Sequence, residues 1–170
     1  EDSRREYPNG AIGGQVIGVC DVDGNGLTGL ELQYDEILKG TPGTYSAQRG
    51  RDGTPIPGGV TEDVPAVDGQ DIMISIDIKL QDSVEQALKA GVEDPRIAGE
   101  KGTSVVMDAA TGEIYAICSL PYLDPTNREE AESDAFNLSP VSQAFEPGSI
   151  FKTVTLAAAL EELPDLEGRT

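Results

Sequence analysis

Hydrophobic and polar positions change their rhythm partway along this chain. Residues 1–68 are rich in Gly and Pro and carry only short apolar alternations, such as Gln15-Val16-Ile17-Gly18-Val19. With Asp23-Gly24-Asn25-Gly26 and Arg51-Asp52-Gly53 as punctuation, this texture predicts short strands joined by turns. The exception is residues 29–38, where Leu30, Tyr34 and Ile37 or Leu38 share one helical face. After residues 65–69 the pattern tightens. Asp71-Ile72-Met73-Ile74-Ser75-Ile76 alternates with period two and predicts a strand, and Asp77 then offers an N-cap. Leu80, Val84, Ala87 and Leu88 keep helical spacing until Gly91. The expectation is a strand feeding an amphipathic helix of about 13 residues.

Two nearly continuous apolar runs follow, Thr103-Ser104-Val105-Val106-Met107-Asp108 and Glu113-Ile114-Tyr115-Ala116-Ile117-Cys118, separated by Ala109-Ala110-Thr111-Gly112. This spacing predicts a compact hairpin, and its apolar density predicts cover on both faces, as at the centre of a sheet. Residues 120–132 read as a polar loop and residues 136–145 as a short helical stretch. A Pro-Gly turn then leads into residues 150–163, a helix of Val, Leu and Ala that Pro164 would end. That helix is apolar almost all round, so burial is expected. Lys152 is its only cation, and a buried lysine needs a reason.

Composition narrows the function more than the fold. In 170 residues, 31 acidic side chains face 12 basic ones, a formal net charge of −19. A chain this acidic is repelled by a polyanion at every phosphate, which argues against a nucleic-acid partner. The acidic residues are scattered, as on a solvated surface, and do not form an acidic tail. There is no histidine, so His-dependent triads and most zinc sites are excluded. Cys20 and Cys118, far apart in sequence, suggest buried free thiols in place of a disulfide framework or metal site. No apolar run reaches the roughly 18 residues of a membrane span, and no signal peptide opens the chain. Its first residues, Glu1-Asp2-Ser3-Arg4-Arg5, read as an interior cut.

Candidate chemistry lies in Glu146-Pro147-Gly148-Ser149-Ile150-Phe151-Lys152. A serine hydroxyl is a poor nucleophile, and a lysine one helical turn away can activate it. The bare Ser-x-x-Lys pattern is expected by chance about 0.3 times in a chain of this composition, so its surroundings must carry the reading. At the start of a helix, free N–H groups and the dipole favour developing negative charge at Ser149. Serine there is equally at home as a plain N-cap. Residues at i and i+3 share a helical face, so the Lys152 ammonium can reach the hydroxyl. Desolvation by Phe151 and Val154 would favour the neutral amine that accepts a proton. The bland alternative is a snorkelling lysine, although a cation at a helix N-terminus opposes the dipole.

Ser-x-x-Lys is the nucleophile motif of β-lactamases and penicillin-binding proteins. Residues 146–152 here resemble the acylation motif of class B penicillin-binding proteins, the membrane-anchored D,D-transpeptidases that cross-link peptidoglycan. Other stretches resemble that family in the same order. Arg5-Glu6-Tyr7-Pro8, Gly29-Leu30-Glu31, Tyr34-Asp35 and Leu38-Lys39-Gly40-Thr41-Pro42-Gly43 are similar to its pedestal segment. Gly69-Gln70-Asp71-Ile72 through Ser75-Ile76-Asp77-Ile78-Lys79-Leu80-Gln81 resembles the entry into the transpeptidase domain. Thr111-Gly112-Glu113-Ile114-Tyr115-Ala116, with Pro121 and Asp124-Pro125, resembles its first hairpin and following loop. The pedestal-like segment distinguishes this type from small serine β-lactamases, and bifunctional relatives carry a glycosyltransferase module upstream.

The resemblance implies an α+β architecture with two parts. Residues 1–68 would be part of the non-catalytic pedestal. Residues 69–170 would be the N-terminal portion of the transpeptidase fold, an antiparallel sheet with helices on both faces. It implies Ser149 as nucleophile, Lys152 as general base and the Ser149 backbone N–H as an oxyanion donor. No cofactor or metal is implied. The implied partners are stem peptides ending in D-Ala-D-Ala, β-lactam antibiotics and membrane partners of cell-wall synthesis. The implied location is the bacterial cell envelope, outside the cytoplasm, with an N-terminal membrane anchor not in this chain. The Ser-x-Asn and Lys-Thr-Gly motifs that complete such a site do not occur in these residues. The chain is therefore read as an internal piece with little turnover of its own and an exposed hairpin edge open to self-association. The alternative is a non-catalytic envelope scaffold or β-lactam sensor with the same fold.

Overall fold

The computed structural model describes residues 5–97 and 99–163, apart from the side chains of residues 55 and 61. In chain order the elements are α1 (Gly14–Ile17), α2 (Gly29–Gln33), α3 (Asp35–Leu38), β1 (Thr44–Arg49), β2 (Pro55–Val64), α4 (Ile78–Val92), β3 (Gly102–Met107), β4 (Ile114–Leu120), α5 (Ser139–Ser142) and α6 (Phe151–Glu162). Two antiparallel hairpins, β1–β2 and β3–β4, form separate two-stranded sheets.

The front of the chain folds with more helix than its glycines suggest. Gln15-Val16-Ile17, expected in a short strand, belongs to helix α1, because Gly13 and Gly18 both take positive φ and close a single turn around these residues. The helix expected over residues 29–38 is present but broken in two at Tyr34, whose φ of −117° leaves the helical region. Gly18 and Gly29 pack backbone to backbone. A Cβ on Gly18 would stand 1.9 Å from the Thr28 carbonyl oxygen, so no larger residue fits.

Asp77 caps α4 as its position predicts. Its carboxylate accepts from the backbone N–H groups of Lys79 and Leu80, both at 2.9 Å. The helix runs through Gly91 to Val92 and packs on β4. The strand expected over residues 71–76 does not form a ladder. Asp77 N–H donates to the Tyr115 carbonyl at 2.9 Å, and Ser75 Oγ donates to the Ile114 carbonyl at 2.8 Å. These two contacts touch only the start of β4, at Ile114 and Tyr115.

The β3–β4 hairpin appears where the pattern placed it, with Val105 opposite Ile117 and Val106 opposite Ala116. Its two strands differ in burial. Ala116, Ile117, Cys118 and Ser119 are all buried, as a covered strand requires. In β3 the alternate residues Val105 and Met107 are exposed, so the expectation of cover on both faces holds for β4 alone. The core is small. Val19, Leu123 and Ala135 form its buried apolar centre, with Ala131 and Phe136 packed against them. Residues from the front of the chain and from the loop after β4 thus share one core. Cys20 and Cys118 are both buried free thiols.

The helical stretch expected over residues 136–145 is shorter and split: a 3-10 turn at Ser133–Phe136, then α5. Helix α6 forms where the pattern predicts, but its burial does not follow. Phe151, Val154 and Leu156 are each more than half exposed, because among the described residues it packs chiefly on the turn before it. The Pro164 stop lies outside the described residues.

Candidate active site

Pro147 and Gly148 set up the serine turn. Gly148 takes φ +52°, a left-handed conformation that suits glycine, and Gly148–Ile150 then form one 3-10 turn closed by Ile150 N–H on the Pro147 carbonyl at 3.1 Å. Ile150 has helical dihedrals (φ −63°, ψ −31°), so the turn runs directly into α6. Ser149 and Lys152 are therefore three residues apart on one helical path, and their side chains share a face.

The serine is not a cap. The N-cap positions are Pro147 for the 3-10 turn and Ile150 for α6, so Ser149 lies inside the turn and the capping alternative raised by the sequence does not hold in this geometry. The Ser149 backbone N–H sits in the first turn of the helical path, where N–H groups lack intrahelical acceptors. No hydrogen bond links Ser149 Oγ with Lys152 Nζ among the described residues, and both residues are exposed. The dry surroundings expected from Phe151 and Val154 are not formed among the described residues, since both side chains are themselves open to water. The pair is thus placed on a common face without the walls that would close it. No group of three or more Cys, Asp or Glu converges as metal ligands would among the described residues.

Two residues that hold this scaffold went unmarked by sequence pattern, Gln15 and Gln81. Gln81 lies in the apolar stripe of α4, beside Leu80 and Val84, and a polar residue there was the available signal. It is fully buried, with Oε1 accepting from Ile117 N–H and Nε2 donating to the Ile117 carbonyl, both at 2.9 Å. Glu85 Oε1 accepts from Gln81 Nε2 at 2.7 Å and from Gly13 N–H at 2.9 Å, tying α4 to the front of the chain. Tyr122 donates its hydroxyl to the Glu85 carbonyl. Gln15 makes the matching contact one pair further along β4, where its Oε1 accepts from Ser119 N–H at 3.1 Å.

Comparison with known proteins bears on this arrangement. Residues 102–163, which hold the β3–β4 hairpin and the serine turn, match the penicillin-binding protein transpeptidase domain. The chain is 40% identical to penicillin-binding protein PbpB of Mycolicibacterium smegmatis over 92% of its own length and 24% of that protein. Over nearly its whole length the chain is similar to members of the penicillin-binding protein family. Peptidoglycan D,D-transpeptidase FtsI of Escherichia coli is 33% identical, over 95% of this chain and 27% of that protein. Penicillin-binding protein 3 of Mycobacterium tuberculosis superposes with a TM-score of 0.74 at 30% identity, over 94% of this chain and 32% of the solved chain. That protein has also been solved with aztreonam and with ampicillin. The chain therefore spans about a quarter of the length of the curated penicillin-binding proteins it matches. In each case the match includes the front segment as well as the transpeptidase part. No described helix is long and apolar enough to cross a membrane.

Proposed function

We propose that the chain is part of a class B penicillin-binding protein that cross-links peptidoglycan through an acyl-enzyme on Ser149. The observation that carries this reading is a serine on a helical turn whose hydroxyl caps nothing. Lys152 lies one turn on, within the segment that matches the transpeptidase domain. In this reading Ser149 Oγ attacks the carbonyl of the penultimate D-Ala of a stem peptide while Lys152, as the free amine, takes its proton. The Ser149 backbone N–H donates to the oxyanion, and collapse releases the terminal D-Ala. An amine of a neighbouring stem then attacks the ester and leaves the cross-link and the free serine. β-Lactams enter as mimics of the acyl donor.

Residues 1–68 belong in this reading to the pedestal and residues 69–170 to the transpeptidase domain. The longer protein works outside the cytoplasm, held by an N-terminal anchor. The test is intact-mass analysis after incubation with a fluorescent penicillin, made on a polypeptide extended to the length of its relatives. A single adduct that maps to Ser149 and disappears in Ser149→Ala supports the reading; an adduct that survives the substitution overturns it. The 170-residue chain by itself should show little or no adduct, since loss of one oxyanion donor alone slows such chemistry roughly 10² to 10³-fold.

A further inference from the structure

We propose that Gln15 is a positioning residue for the serine turn, a pin through which the front of the chain holds the path to Ser149 in register. Its carboxamide is buried at 6% exposure, although it stands on a helix of four residues. Nε2 lies 2.9 Å from the Pro121 carbonyl, 3.0 Å from that of Ala135 and 3.3 Å from that of Asn137. Oε1 accepts from Ser119 N–H at 3.1 Å and lies 3.3 Å from Ser119 Oγ. Ser119 Oγ in turn accepts from Ser139 N–H at 3.2 Å and lies 3.2 Å from the Asn137 carbonyl. One side chain thus joins α1, the end of β4, the turn after it and the stretch that leads into α5.

The position of that stretch gives the contact its consequence. Ala135 is fully buried, whereas every residue from Val141 to Ala158 is exposed. Ala135 is therefore the last buried residue before the serine and residues 138–140 the last half-buried ones, with Ser149 ten positions beyond Ser139. Ala135 and Phe136 still pack on the core without Gln15, so its removal loosens the register of the stretch and leaves the hairpin standing. The Ala135 carbonyl and the Ser119 N–H it leaves behind are buried, so the stretch must open to water to satisfy them.

The test is hydrogen–deuterium exchange on the 170-residue chain carrying Gln15→Met, which keeps the length and removes the amide, and Gln15→Glu, which keeps an acceptor for Ser119 N–H. In Gln15→Met, exchange at Ser119 and across residues 137–143, whose amides are hydrogen-bonded at Asn137, Ser139, Val141, Ser142 and Gln143, should rise about tenfold or more, with residues 102–107 unchanged. In Gln15→Glu, residues 137–143 should be released while Ser119 stays protected. Unchanged exchange across residues 137–143 in whichever variant folds overturns the proposal. A second arm rests on the reading of Ser149 as nucleophile. In the extended polypeptide, Gln15→Met should slow the maximal rate of acylation by a fluorescent penicillin about tenfold and leave the half-saturating concentration unchanged. Equal rates overturn the positioning role, whereas labelling of Ser149→Ala overturns the nucleophile assignment and leaves the exchange result standing.

Discussion

Gln81 pairs with Ile117 as a neighbouring strand would, accepting from its N–H and donating to its carbonyl, both at 2.9 Å. With Asp77 on Tyr115 and Gln15 on Ser119, alternate backbone groups along one edge of β4 are satisfied from outside the sheet. A strand edge that would otherwise present unpaired donors and acceptors is thereby closed. Gln81→Leu should leave the buried Ile117 N–H and carbonyl without partners, at about 1–3 kcal/mol for each unmet group. Urea unfolding should show a total loss of about 2–6 kcal/mol. A loss below about 1 kcal/mol would mean that water or a shifted residue replaces the amide.

Asp77 fixes where α4 begins. Its carboxylate serves two backbone donors, so Asp77→Ala should cost about 1 kcal/mol and Asp77→Asn or Asp77→Ser much less. Circular dichroism and urea unfolding on the three variants check this ranking. Equal stability of all three would remove the cap from the account of α4.

Much of the hairpin and both long helices were legible because local periodicity and capping dictate them. Asp77 announces α4, and the Thr111-Gly112 turn separates β3 from β4. What failed to read were features that depend on distant partners. The alternation of residues 71–76 suits a strand, yet no ladder forms, and the segment meets β4 only through Ser75 and Asp77 at Ile114 and Tyr115. The apolar circumference of α6 predicts burial, but the surfaces that would cover it are not among the described residues. For the site, the turn, the shared helical face and the serine–lysine spacing could be read directly. Gln15 could not, since its role comes from groups more than 100 positions away in the chain.

The serine and its lysine separate cleanly by substitution. Ser149→Ala should leave the stability of the chain unchanged within about 0.5 kcal/mol, because the hydroxyl caps nothing. In the extended polypeptide it should abolish acylation by a penicillin. Lys152→Ala should retain the fold and slow acylation by about 10² to 10⁴-fold, the usual contribution of a positioned general base. If Ser149→Ala instead cost about 1 kcal/mol or more, the capping role would have to be restored.

Cys118 gives the chain a sensitivity to alkali. Burial pushes its thiol up to about 11, with the nearby Glu85 carboxylate adding to the rise. Folding thus favours the neutral thiol. Its contribution is fully present below the unfolded value of about 8.5 and is lost as pH rises through the folded value. Stability measured by urea midpoints should therefore fall between about pH 8.5 and 11, and Cys118→Ala should flatten part of that slope. Burial raises Cys20 and Tyr122 in the same direction, so some slope should remain in the variant. Thiol titration at pH 8 should find Cys118 slow to react until urea is added.

Helix α6 leaves a large apolar surface uncovered. Ile150, Phe151, Val154, Leu156 and Leu163 are each more than half exposed, and among the described residues the helix packs chiefly on the turn that carries Ser149. Apolar area left in water associates when it can, at roughly 25 cal/mol per Å² removed. The 170-residue chain should therefore self-associate, its mass by light scattering rising with concentration. Val154→Glu with Leu156→Glu should return it to a monomer, because both changes place charge in the surface to be buried. The β3 edge offers a second route through Val105 and Met107, which the double variant would leave open. Association that persists in the double variant but is lost in Val105→Lys would assign the contact to the strand. A monomeric mass for the unaltered chain at high concentration would refute both routes. In the extended polypeptide the same helix should be protected from exchange, since the remainder of a transpeptidase domain would then pack on it and supply the dry walls that Lys152 lacks here.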